Sequence, residues 1–296
     1  MIGYFLNGRA SGMGGVGLSM TGDLSVSFMN PASLAALPIT TISGSIRHTS
    51  ADLTNSRQDA SITDTNVLGA QFVIPLKRQR VAISLGLNPY SSIEYTFESD
   101  EGLGGVKPFT ERVEGNGGVN TAFFSFSIRP IKRLYLGASG LFYFGVLKNS
   151  WTVDFADLLL ADTQSEVNQS ISGFNTRFGF IFEVLSNLKV AGVYTPSVNL
   201  DSEVSLNINT VNLPNFSQKD IKVPRAFGVG TSWGLGKLLL GLDYYRQEWS
   251  QFAQDGFVND SERIAFGLEY SGRGNFRSSY FSRMAVRAGF YYRNLG

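Results

Sequence analysis

The chain has no cysteine and a single histidine among its 296 residues. Without thiols there are no disulfides, zinc–thiolate sites or cysteine nucleophiles. Charge is scarce too: Asp, Glu, Lys and Arg make up 17%, against roughly 25% in an ordinary soluble domain. A net charge of +1 supplies no basic field, so nucleic acid has no electrostatic support as a partner. No run of 18 apolar residues occurs, which excludes a transmembrane helix. Residues 1–7 are too short and wrongly flanked for a signal peptide. If the protein is exported, its signal is expected to be missing from this sequence.

What is present is glycine and aromatic side chains: 33 Gly, 23 Phe, 12 Tyr and 3 Trp. Mean hydropathy is close to zero although 43% of residues are hydrophobic. Apolar and polar residues therefore alternate. After Pro38, period-two alternation recurs in about eleven segments of about ten residues. They centre near 39–48, 66–75, 80–97, 118–129, 134–147, 171–184, 187–195, 222–233, 237–248, 262–271 and 283–293. In one of them Phe174, Thr176, Phe178, Phe180 and Phe182 share a face, opposite Asn175, Arg177, Gly179, Ile181 and Glu183.

Short turns near 77–79, 130–132, 185–187 and 234–236 alternate with longer polar connections at 49–65, 98–117, 148–170, 196–221 and 249–261. Tight turns at one end and long loops at the other describe an up-and-down meander, as in bacterial outer-membrane barrels. A soluble β-sandwich would also alternate. The Phe- and Leu-rich faces exceed what one sandwich core needs, and aromatics near strand ends (Tyr135, Phe142, Tyr143, Phe144) suit a membrane girdle. A cation on the lipid face at the bilayer midplane costs about 2–4 kcal/mol. Arg177, Asp243, Arg263, Glu269 and Arg287 are therefore expected to point inward, with Leu238, Leu240, Leu242 and Tyr244 outward. Eleven strands is an odd count, and an open edge in lipid is costly. Either a strand lies hidden in 148–160 or 198–210, or C-terminal strands are missing; the second is the expectation.

The stretch GMGGVGLSMTGDLSVSFMNPASLAAL, 12–37, breaks the alternation. Its Gly12, Gly14, Gly15 and Gly17 resemble a nucleotide loop only superficially, because no βαβ unit follows; close backbone packing explains them better. His48 lies where the first strand meets its loop, with no nucleophile framework, so a Ser–His enzyme is not expected. Asp52, Asp59 and Asp64 match no calcium-loop spacing and read as a solvated loop, with no metal and no cofactor expected. Pro89 falls inside the strand-like run 80–97, where a missing ladder donor marks an edge, bulge or break. Either the wall opens there, or the strand ends at Asn88 and 91–97 lies above the membrane.

Two stretches resemble the long-chain fatty-acid transporter family of outer membranes, the FadL-like proteins. One is 12–37, with its Gly-rich run, an acidic residue and Asn30-Pro31-Ala32; the other is VPRAFGVGTSWGLGKLLLGLDYYRQEWS, 223–250, with Asp243, Tyr244 and Trp249. The resemblance implies an all-β, transmembrane antiparallel barrel, 14-stranded in full with about 11 strands here, and an N-terminal hatch inside the lumen. On that reading, 1–37 is the hatch and 38–296 the barrel. Phe28, Met29, Asn30, Pro31 and Ala32 lie at the hatch and substrate pocket, and Pro89 marks a kink for lateral release. The implied function is passive passage of hydrophobic molecules, fatty acids or similar, across the outer membrane of a Gram-negative bacterium. The partners are then the hydrophobic ligand and membrane lipid. The alternative is a FadL-like barrel that serves as partner or cargo shuttle of a secretion machine.

Overall fold

The computed structural model describes residues 8–21, 28–54, 59–101, 109–155, 161–209, 211–212, 214, 216–252, 259–272 and 284–294. A five-residue helix, α1 (Gly8–Gly12), and a 3-10 turn, Pro31–Ala36, precede the sheet. The strands are β1 (Thr41–Thr54), β2 (Asp59–Lys77), β3 (Val81–Glu101), β4 (Phe109–Ile131) and β5 (Leu134–Phe155). They continue as β6 (Thr163–Leu185), β7 (Leu188–Thr195), β8 (Val198–Ile208), β9 (Val211–Asn212) and β10 (Phe216–Val223). The last are β11 (Ala226–Leu235), β12 (Leu238–Gln247), β13 (Ser261–Ser271) and β14 (Ala285–Asn294). Every pairing is antiparallel, and eleven strands follow one path, β1 to β7 and then β11 to β14. All eleven expected segments fall on this path. The fold is the antiparallel, up-and-down β-barrel of the transmembrane class. Among the described residues β1 pairs only with β2, and β14 only with β13.

The connections read as loops are mostly strand. β1 and β2 stay paired to Thr54↔Asp59, β3 and β4 to Glu101↔Phe109, and β5 and β6 pair at Val153↔Thr163. Asp52, Asp59 and Asp64 therefore sit in a ladder, not a loop. These stretches are richer in polar residues, so the apolar alternation thins although the backbone hydrogen bonds continue. Of the places expected to hide a strand, 148–160 and 198–210, residues 156–160 and 210 lie outside the described residues, and a strand does occupy Val198–Ile208. Residues up to 155 extend β5, and β8 continues β7 across Pro196 and Ser197.

β10 likewise runs into β11 across Pro224 and Arg225. Ala226 pairs with Thr195 and Val223 with Val198, so the two proline breaks face each other on neighbouring strands. Neither proline can donate to a ladder. β6 pairs with β7 up to Phe178↔Tyr194 and with β8 from Ser172↔Asp201, leaving 173–177 without ladder partners on that side. Side chains span the interval: Asn175 Nδ2 donates to the Pro196 carbonyl at 2.8 Å, and Arg177 Nε to Thr195 Oγ1 at 3.0 Å.

β3 passes through Pro89 without ending. Its register with β4 slips between Pro89 and Ser91, a bulge, so the strand does not stop at Asn88. Its pairing with β2 stops at Ala70↔Leu87, and from Asn88 onward β3 pairs with β4 alone.

The two faces of the wall divide as expected. Phe124, Phe126, Phe174, Phe178, Phe180, Leu242, Ile264 and Phe266 are exposed on the outer face. Ser125, Ser127, Asn175, Asp243, Arg263 and Glu269 alternate with them and are buried. No helix is long and apolar enough to cross a membrane; the strands supply the apolar outer surface.

Glycines on the inner face make room for the N-terminal segment. A β-carbon at Gly179 would stand 2.2 Å from Asn30 Oδ1, and one at Gly137 would stand 2.4 Å from the Ala32 nitrogen. Both contacts are impossible, so the wall is flat where the Asn-Pro-Ala turn touches it. Gly179→Val is expected to push that turn off the wall. The check is limited proteolysis of the folded barrel, with the N-terminal segment cleaved at least tenfold faster (~1.4 kcal/mol) while the strands stay resistant.

Candidate functional site

The N-terminal segment is buried against the inner faces of the wall from Met13 to Leu18 and again from Met29 to Leu37. Asn30 caps the turn Pro31–Ala36. Its Oδ1 accepts from the Ala32 nitrogen at 3.0 Å, and Pro31 occupies the first helical positions, where no N–H is needed. Its Nδ2 donates to Leu18 O at 2.8 Å and to Phe180 O, on β6, at 3.1 Å. One fully buried amide thus ties the two halves of the segment together and both to the wall. Ser127, on β4, completes the seat: its Oγ donates to Ala32 O at 3.0 Å and accepts from the Ala35 nitrogen at 3.1 Å. Leu34 and Leu37 pack with Val73 and Ala82 of β2 and β3.

Charged contacts hold the earlier half. Asp243 of β12 is buried and accepts from the Gly17 and Leu18 nitrogens at 2.7 and 2.9 Å through one oxygen. Arg263 Nη2 donates to Gly15 O at 3.1 Å. Gly14 and Gly15 have φ of +65° and +90°, and Gly14 lies against the Gly289 and Phe290 backbone, so this turn requires glycine. Glu269 of β13 takes a bidentate pair from Arg9 of α1, at 2.7 and 2.9 Å, and a third bond from Arg287 of β14 at 2.7 Å. The inward placement of Asp243, Arg263, Glu269 and Arg287 therefore holds, and each touches the N-terminal segment or a partner of it.

The opposite part of the lumen is apolar. Val119, Phe123, Leu141, Tyr143, Ile171, Leu200 and Val223 form one buried cluster, and Phe28, Tyr90 and Val198 pack against it. Phe28 lies 4.4 Å from Phe123 between ring centroids, and its other side carries the Arg177 guanidinium at 4.7 Å. Arg177 also donates to Phe28 O at 3.3 Å. The predicted pocket residues thus divide. Phe28 faces the apolar cluster, while Met29 and Ala32 belong to the core between segment and wall. Asn30 and Pro31 are the fastening of the turn, buried beneath it. Pro89 neighbours Tyr90, which joins the apolar cluster through Tyr143 at 5.1 Å.

Sequence reasoning did not find Phe123, Leu141, Tyr143, Ile171 and Leu200 as one group, since their faces alternate on separate strands. It also missed the fastening role of Ser127 and Arg9, for which no local motif exists. His48 contacts Thr65 Oγ1 at 2.8 Å on an exposed stretch of wall. No group of three or more His, Asp or Glu residues suited to a metal is found among the described residues.

This geometry defines an antiparallel transmembrane β-barrel whose described N-terminal residues pack against the inner face of the wall. Within that class the chain belongs to the BamG family, whose model matches residues 7–296. No curated protein matches it in sequence. Among solved structures it is similar to the toluene transporter TodX of Pseudomonas putida, at 16% identity and a TM-score of 0.65, over 98% of this chain and 83% of that one. It is similar also to the Ralstonia pickettii toluene transporter TbuX, at 16% identity and a TM-score of 0.58, over 98% and 86%. A Pseudomonas aeruginosa FadL homologue matches at 14% identity and a TM-score of 0.63, over 99% and 81%. At these identities the likeness is one of fold. The expected barrel fold is shown, and the family that the chain belongs to is BamG.

Asn30→Asp keeps the cap acceptor but replaces the donor to Leu18 O and Phe180 O with a buried carboxylate oxygen. Loss of about 3 kcal/mol or more is expected, read as a fall in unfolding midpoint of the barrel in detergent. Glu269→Gln leaves Arg9 and Arg287 without their charge partner and should expose Arg9 to trypsin in the folded protein. The N-terminal sequence of the cleaved product reads this directly.

Proposed function

We propose that the protein is an outer-membrane conduit through which hydrophobic small molecules pass without an energy source, with residues 1–37 as its hatch and 38–296 as its barrel. The observation that carries this reading is the apolar cluster between Phe28 and the walls of β4, β5, β6, β8 and β10. A polar lumen would not need it. An apolar solute gains about 0.8 kcal/mol per buried CH₂ in such a place, while the polar outer surface of an outer membrane excludes it.

The route runs from the outer end of the long strands to the cluster, over Phe28, and sideways where β2 parts from β3 beyond Leu87. Pro89 lies two residues past the last β2–β3 pair and keeps β3 bulged there. The Asn30–Pro31–Ala32 turn stays fastened beneath, so the hatch acts as a floor that deflects the solute to the wall. The toluene transporters TodX and TbuX, with the same fold, support hydrophobic cargo as the class.

A second reading is a partner or cargo-shuttle role in a secretion machine. The extent of the hatch fastening favours it: the ion pairs at Glu269 and the bonds to Asp243 fill the β12–β14 side of the lumen. The family name BamG, which states no substrate, is compatible with that role. The experiment is mass spectrometry of the barrel extracted gently from membranes. Conduction predicts apolar molecules bound in the lumen and at least fivefold depleted by Leu141→Gln, since an amide buried in that cluster costs about 1–3 kcal/mol. An empty lumen with a stoichiometric protein partner retained by both proteins would refute conduction and establish the second reading.

A further inference from the structure

The rungs of the wall beside the β2–β3 opening carry polar side chains that the surrounding packing does not require. Gln71 on β2 and Asn88 on β3 are 3% and 4% exposed, and both face inward between exposed Leu85 and Leu87 on the outer side. Gln71 pairs with Gly86, and Asn88 follows two residues later on the same face, so the two are diagonal neighbours. Ser43 of β1 pairs with Gln71 on the other side. Next along the inner face stand Val73 and Ala82, which are buried and apolar.

Each amide is satisfied on one side only. Asn88 Nδ2 donates to the Pro89 carbonyl at 3.3 Å, and Gln71 Nε2 donates to Ser84 Oγ at 3.1 Å. The Asn88 Oδ1, Gln71 Oε1 and Ser43 Oγ atoms are buried and have no hydrogen-bond partner among the described residues. The Pro89 carbonyl can only accept, which fixes the Asn88 amide with its nitrogen there and its oxygen free. Leaving a buried acceptor unpaired costs about 1–3 kcal/mol. Two amide acceptors concentrated at the last paired rungs of the β2–β3 ladder make a built site for a hydrogen-bond donor.

The site adjoins the apolar cluster. Gly86 lies between Gln71 and Phe123 on one rung, and a β-carbon there would stand 2.5 Å from the Phe123 ring. Phe123 in turn meets Phe28. The apolar surface of Phe28, Phe123 and Leu141 thus lies beside the amides of Asn88 and Gln71. We propose that this pair of amides selects uncharged amphiphiles bearing an O–H or N–H donor, such as alcohols, phenols or amides, and disfavours carboxylate anions. The geometry is the ground: acceptor oxygens at the opening hold a donor, but face a carboxylate's oxygens with their own partial negative charge. This deepens the conduction reading and rests on it.

The test is equilibrium dialysis of the full chain in lipid nanodiscs at pH 8, with radiolabelled 1-dodecanol and dodecanoate as probes and empty nanodiscs as the blank. Dodecanol is expected to bind at least tenfold more tightly than dodecanoate, the size of one net hydrogen bond. Asn88→Leu should lose that tenfold for dodecanol and leave dodecanoate unchanged. Gln71→Met, a change on the other strand, should lose part of it and guards against misfolding of the first variant. Equal binding of both probes, unaltered by either variant, would overturn the selectivity while leaving conduction intact; water would then satisfy the amides. Tighter binding of dodecanoate would overturn it as well. Binding of neither probe would remove the conduction reading and this inference together.

Discussion

The protein depends on the satisfaction of buried backbone groups where an irregular segment meets a regular wall. A sheet pairs its own amides, but residues 28–37 lie inside it with carbonyls and N–H groups that no ladder can reach. Asn30 Oδ1 takes the Ala32 N–H and Ser127 Oγ the Ala32 carbonyl and Ala35 N–H, while Asn30 Nδ2 ties this turn to Leu18 O and to Phe180 O of the wall. In a water-poor interior each orphan group would cost about 1–3 kcal/mol. The glycines at 137 and 179 follow from this constraint, because such short bonds require the two backbones to touch.

The two sides of the lumen divide the labour. Around β12–β14 charged side chains hold residues 9–18, whereas β4–β6 hold the Asn30-Pro31-Ala32 turn by hydrogen bonds and close backbone contact and meet Phe28 through an apolar cluster. Of the five charged residues expected inward, Asp243, Arg263, Glu269 and Arg287 lie on β12–β14, while Arg177 stands on β6 against Phe28. Asp243, Arg263 and Glu269 are taken up by the segment.

The wall was legible in the sequence because it repeats. Period-two alternation named all eleven strands of the path and assigned the inner and outer faces of β6, β12 and β13 correctly. It failed at the far ends of β1–β6, where polar residues are more frequent and the alternation thins although pairing continues. It also treated 187–195 and 222–233 as ordinary strands, passing over the facing breaks at Pro196 and Pro224. The site was half legible. Asn30-Pro31-Ala32 stands out as a motif, and its cap geometry follows from residue type. Arg9 with Glu269, separated by 260 positions, has no local signature. Nor has the apolar cluster, which draws single residues from many strands.

The facing prolines have a mechanical consequence. Along the line from Arg177 past Pro196 to Pro224, main-chain hydrogen bonds are replaced by the two side-chain bonds of Asn175 and Arg177. Main-chain ladders resist bending as a plate does, whereas side-chain bonds yield like a fabric crease. Among the described residues, the panel formed by β8, β9 and β10 therefore takes its main-chain hydrogen bonds to the rest of the wall from β6 alone, along Ser165↔Ile208 to Ser172↔Asp201.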